Sequence, residues 1–156
     1  MNFDQADELN ETIRAIGIRH RALAIAALAP FGVHPGHKLL LLQLETSGPL
    51  TQAQLAVATG YEPPTITFSV RQLEAAGFVV RRPSLTDGRA TMVELSDGGR
   101  ALLPKLKAAW RRLADQTVAG LTVPVDQATS VLSDLAASLT ATHAPAENVP
   151  RNPTHS

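Results

Sequence analysis

The sequence has no cysteine among its 156 residues. That excludes disulfide scaffolds, thiolate metal sites, cysteine nucleophiles and thiol redox sensing together. No charge-free apolar run approaches the roughly 18 residues that a membrane-spanning helix requires. The first residues, with Asp4, Asp7, Glu8 and Glu11, lack the basic segment of a secretory leader. A soluble, cytoplasmic protein without a membrane partner is expected. There is no nucleophile motif, no Gly-rich phosphate loop and no metal pair of the His-Glu-x-x-His kind, so neither an enzyme, a cofactor nor a metal is expected. His34 and His37, even with His20, do not make a zinc set, because no nearby Asp or Glu completes it.

Net charge is absent too, with 14 basic and 14 acidic residues, yet the charges are unevenly placed. From Arg71 to Arg112 nine basic residues stand against four acidic ones, a surplus of five positive charges, while residues 1–13 hold four acids and no base. A basic middle between acidic ends is the distribution expected of a chain that turns one face to a polyanion. The length suits one domain with a single core, and 44% apolar residues is ordinary for a globular chain.

Apolar periodicity predicts a long amphipathic helix over residues 7–28 and, after Pro30-Phe31-Gly32, a second over His37 to Glu45. The run Leu39 to Leu42 puts that second helix in the core. Thr51-Gln52-Ala53-Gln54 is a capping box that opens a short third helix ending at Gly60. Pro63-Pro64 opens a fourth, since missing amides cost least in a first turn, and Gly77 ends it. Phe78 to Arg82 and Ala90 to Leu95 are β-prone runs around Asp87-Gly88, a two-stranded hairpin. Ser96 suits the N-cap of a long helix whose stripe Leu103, Leu106, Trp110 and Leu113 serves either as core or as a dimer seam; the seam is favoured. A last helix starts near Pro124, and residues 144–156 have the composition of a disordered tail.

The two short helices joined at Gly60, with Ala56 small at their crossing and Ile66, Leu55 and Leu73 filling the wedge, form a helix-turn-helix. The hairpin directly after it makes a winged helix. The expected fold class is therefore mainly α (α+β), a winged helix-turn-helix with a two-stranded β-wing.

On the stretch from Leu50 to Leu103, and above all on Asp87-x-Arg89 followed by an apolar strand and Leu95-Ser96-x-x-Gly99, the chain resembles the MarR (multiple antibiotic resistance regulator) family. The resemblance implies N- and C-terminal dimerisation helices in residues 1–32 and 97–143 around a DNA-binding domain in residues 33–96. It also implies a homodimer on double-stranded DNA with a pseudo-palindromic operator, half-sites lying about 34 Å apart. Residues Pro63 to Arg71 would enter the major groove, with Pro64, Thr65, Thr67, Ser69 and Arg71 at bases or phosphates. Thr51 and Gln52 would grip a phosphate at a helix N-terminus. Arg81 and the wing-tip Arg89 would reach DNA, Arg89 in a minor groove, while Asp87 and Gly88 shape the loop. Phe68 stands where the family commonly has Arg or Lys, so it either meets a thymine methyl or packs inward. The function implied is a repressor released by a small aromatic or anionic effector, bound near Arg14, Ile18, Arg21, His34, His37 and Lys38. The alternative is a winged helix that serves a protein partner without touching DNA.

Overall fold

A computed structural model describes residues 1–84 and 90–142. The expectations for Asp87, Gly88 and Arg89, and for the tail from residue 144, lie outside the described residues. The helices are α1 (Phe3–Leu28), α2 (Pro35–Ser47), α3 (Gln52–Thr59), α4 (Pro63–Ala75), α5 (Asp97–Val118) and α6 (Val125–Thr142), with a short 3-10 turn at Ala29–Phe31. The strands are β1 (Leu50–Thr51), β2 (Val79–Pro83) and β3 (Thr91–Leu95). No single helix among the described residues is long and apolar enough to cross a membrane. Residues 1–117 pack as one unit, and the described residues from 118 onward belong to a second.

Local chemistry explains most boundaries in the first unit. At the start of α3, the Gln54 amide donates to the Thr51 hydroxyl at 3.2 Å and the Thr51 amide donates to the Gln54 side-chain oxygen at 2.8 Å, so two orphan donors are satisfied reciprocally. Gly60 closes α3 at φ +71°, a left-handed conformation that costs glycine little. Two prolines start α4. The start of α5 is capped by Ser96, whose hydroxyl accepts from the Gly99 amide at 3.0 Å and donates to the Gly77 carbonyl at 2.5 Å.

That capped turn packs directly on the strand entering the sheet. A Cβ at Gly99 would run into the Phe78 carbonyl oxygen, and one at Gly98 would lie 2.9 Å from the Gly77 carbonyl oxygen. The glycines of the Ser96-x-x-Gly99 motif are therefore there because backbone meets backbone at this point.

The core is one cluster built from α1, α2, α3, α4, β2, β3 and α5, with Leu28, Leu40, Leu41, Leu55, Ile66 and Leu106 at its centre. The wedge residues Leu55, Ile66 and Leu73 are all buried, as the helix-turn-helix reading requires. Two expectations change. The expected two-stranded hairpin is present as β2 paired with β3, but a third strand joins it in the order β1-β3-β2, because Leu50 and Thr51 pair with Val93 and Met92 before α3 begins. The favoured seam in α5 is instead core: Leu103, Leu106 and Leu113 are already buried within the single chain, and Trp110 packs partly buried beside them.

Apolar exposure lies elsewhere. In α1 only Ala24 and Leu28 are buried, while Leu9, Ile13, Ile16 and Leu23 are exposed. Within α6, Val125, Val131, Leu132, Leu135 and Leu139 are exposed.

Candidate nucleic-acid interface

The fourth helix divides cleanly into two faces. Ile66, Ser69, Val70 and Leu73, at helical steps of three, one and three, are buried. Pro64, Thr65, Phe68, Arg71, Gln72 and Ala75 are exposed on the other side. Phe68, 63% exposed, stands in the middle of that outer stripe, which removes the inward-packing alternative. Ser69 is corrected: at 7% exposure its hydroxyl sits on the core side of the helix and cannot meet a base edge.

The α3 and α4 helices are tied together by a side-chain hydrogen bond. The half-buried Thr67 hydroxyl donates to the Gln52 side-chain oxygen at 2.8 Å. With its oxygen occupied, Gln52 keeps its NH₂ group for an outside acceptor. Thr67 thus acts inside the motif more than on its surface.

Pairing across the hairpin sorts the two arginines of β2. Val79 opposes Leu95 and Arg81 opposes Val93, on the face that carries the buried Val79, Val93 and Leu95, whereas Arg82 opposes Met92 on the other face. Past the edge of the core, Arg81 reaches Glu74 of α4 at 2.6 Å, and Arg82 pairs with Glu94 at 2.5 Å. The Arg81 hydrogen bond holds the Glu74 carboxyl below its usual range. Both arginines therefore carry an acid partner. Arg71 has no ion pair among the described residues.

Beside α4, two adjoining cavities of about 510 Å³ and 430 Å³ share His34, His37 and Gln72. The first extends to Ile25 and Val33, the second to Arg21, Tyr61 and Phe68. His34 and His37 also cap α2: the Gly36 amide donates to His34 Nδ1 at 3.5 Å, and the His34 amide donates to His37 Nδ1 at 3.3 Å. That pattern assigns the proton of neutral His37 to Nε2. Burial lowers the His37 pKa, a Gln72 hydrogen bond pulls the other way, and the charge of His34 adds to the lowering.

Of the expected effector residues, the fold thus brings together Arg21, His34 and His37. Lys38 lies elsewhere, its ammonium 3.6 Å from the centre of the Trp110 ring, beside a small apolar cavity of about 210 Å³. Partial burial lowers the pKa of Lys38. Arg14 is paired with Glu11 one turn earlier in α1, and Ile18 is exposed; neither lines these cavities. Tyr61, Gln72 and Phe68 are cavity residues that periodicity alone does not single out, since each reads as helix or turn surface. Among the described residues no three His, Asp or Glu side chains converge as a metal set.

Comparison with known proteins places this arrangement among regulators. The model of the MarR family matches residues 31–90. The chain is 33% identical over 109 residues to the HTH-type transcriptional repressor Rv2887 of Mycobacterium tuberculosis (strain ATCC 25618 / H37Rv), covering 70% of this chain and 78% of that one. A crystal structure of a probable transcriptional regulator from Pseudomonas aeruginosa superposes with a TM-score of 0.73 at 32% identity, over 86% of this chain and 98% of that one. The transcriptional repressor CouR, bound to a 23-mer DNA duplex, superposes with a TM-score of 0.77 at 26% identity, over 89% of this chain and 98% of that one.

Proposed function

The chain belongs to the MarR family, and from that premise we propose that it is a sequence-specific DNA-binding transcriptional repressor. It acts as a homodimer and is released from its operator by a small aromatic or anionic effector. One observation carries the reading: the outer stripe of α4, with Thr65, Phe68 and Arg71, is exposed along its length while the opposite face is locked into the core. A helix held firmly on one side and open on the other is free to present its outer side chains to a groove.

In this reading residues 33–96 form the reading head. Pro63, Pro64, Thr65, Phe68 and Arg71 enter the major groove, Thr51 and Gln52 meet a phosphate, and Arg89, aimed by Asp87 and Gly88, reaches the minor groove. Arg81 contributes only when it leaves Glu74. Repressor relatives and the DNA-bound repressor CouR support the reading.

Residues 1–32 and, within 97–143, the residues of α6 supply the dimer. The exposed apolar residues of α1 and of α6 pack on a second copy, because amphipathic helices draw most of their stability from a covered apolar face. Permanent interfaces of this kind bury about 2,000 Å² or more. The paired cavities beside α4 take the effector, with Arg21 available to its anionic group and with Thr65 and Phe68 shared between cavity and groove.

Salt titration tests the DNA reading. Affinity of the purified protein for a short duplex should fall steeply and linearly in log–log form as salt rises. A flat response would transfer the basic surface to a protein partner, and a monomer in sedimentation velocity would end the dimer.

A further inference from the structure

We propose that Phe68 reads the 5-methyl group of a pyrimidine, so that the operator carries a thymine under each recognition helix and 5-methylcytosine can stand in for it. The inference rests on the DNA-binding reading and names what the centre of that surface recognises. Phe68 is a large apolar side chain, 63% exposed, held one turn after Thr65 and one turn before Arg71 on the outer stripe of α4. Its neighbours on the core side, Val70 and Ile66, are fully buried, so the helix cannot roll to hide the ring without exposing them. The ring therefore stays on the outer stripe of α4, where it also lines the second cavity with Arg21 and Tyr61.

A phenyl ring neither donates to nor accepts from base-edge polar atoms, and it cannot neutralise a phosphate. Among major-groove base edges the apolar feature is the C5-methyl of thymine. Cytosine methylated at C5 presents a methyl at the same ring position. The rest of the helix increases the weight on this contact. Pro63 and Pro64 remove two amide donors from the first turn, and Arg71 is the sole cation in the 13 residues of α4. Polar reading by this helix is sparse, and its middle is apolar.

Covering one methyl from water corresponds to about a fourfold change in affinity, and the two half-sites of a dimer to about fifteenfold. The experiment uses the full chain and a duplex selected by the protein from a random pool. Each thymine is replaced in turn by deoxyuridine, which removes the methyl and leaves the pairing edge intact. One position per half-site should weaken binding about fourfold for the wild type and leave Phe68→Ala indifferent. At that position a C·G pair carrying 5-methylcytosine should bind about fourfold more tightly than unmodified C·G, again only with Phe68 present. Phe68→Leu, which keeps an apolar tip, should retain part of the response. If duplex is bound but no methyl loss couples to Phe68, the proposal is overturned while DNA binding stands. If no duplex is selected at all, the DNA-binding reading falls and takes this one with it.

Discussion

The Thr67 hydroxyl donates to the Gln52 side-chain oxygen at 2.8 Å, joining residues fifteen apart in sequence across the turn of the helix-turn-helix. This bond ties α3 to α4. Thr67→Val keeps the volume and loses the donor, leaving a half-buried oxygen unpaired. Stability should fall by about 1 kcal/mol, read as a lower urea midpoint at unchanged slope, and Thr67→Ser should restore most of it.

Gly99 should tolerate no side chain. The Cβ of Gly99→Ala would collide with the Phe78 carbonyl oxygen, which is backbone and cannot swing away. A loss of about 3 kcal/mol or more is expected, in the range where a named steric clash dominates, measured by thermal or urea unfolding. Gly17→Ala is the control. Nothing lies within 4 Å of a Cβ there, inside α1, so it should be neutral or stabilise by up to about 1 kcal/mol. Equal losses in both variants would refute the packing account.

Glu74 should restrain Arg81. Both ends of the pair are more than a third exposed or close to it, so its removal should cost little stability. Glu74→Gln frees one guanidinium beside α4. Affinity for random-sequence duplex should then rise, and the slope of log affinity against log salt should steepen by about one counterion. An unchanged slope would mean that Arg81 lies away from the phosphates.

The histidine cap should make α2 sensitive to mild acid. Burial depresses the His37 pKa in the folded chain, so folding disfavours the charged form. The sign follows: stability is full above the ordinary histidine value near 6.5 and declines as pH falls from there through the depressed folded value. Protonation also removes the Nδ1 acceptor that the His34 amide uses. His37→Gln supplies an acceptor that does not titrate at the same capping position. The wild type should lose more stability than this variant between pH 7.5 and pH 5.5 in urea titrations. Parallel pH profiles would show that the cap does not titrate in that range.

Much of the winged helix was legible because its signals are local. The Thr51 box, the Gly60 turn, the Pro63-Pro64 start and the Gly77 stop each act within four or five residues. β1 was not legible, since two residues carry no periodicity and their partners, Val93 and Met92, lie some forty positions later. Ser69 was misread because a hydroxyl suggests surface, while its phase with Ile66 and Leu73 puts it on the core side. For α5, a stripe announces that a face is covered without saying by what. The sequence charge count was sound as a count, but Glu74 and Glu94 each silence an arginine only once the chain is folded.

Because β3 runs between β1 and β2, the strand that carries the hairpin also holds Thr51, the residue that caps α3. If Thr51 meets a phosphate as proposed, that contact and the base of the wing are two points on one ruler. On the proposed DNA-binding reading, such a head would measure DNA as a fixed gauge does, with little room to widen its stance for a stretched or compressed half-site. Adjustment to an effector or to a variant operator is left to the tilt of the whole head, and single-base insertions inside a half-site should be tolerated far less than insertions between half-sites of the same length.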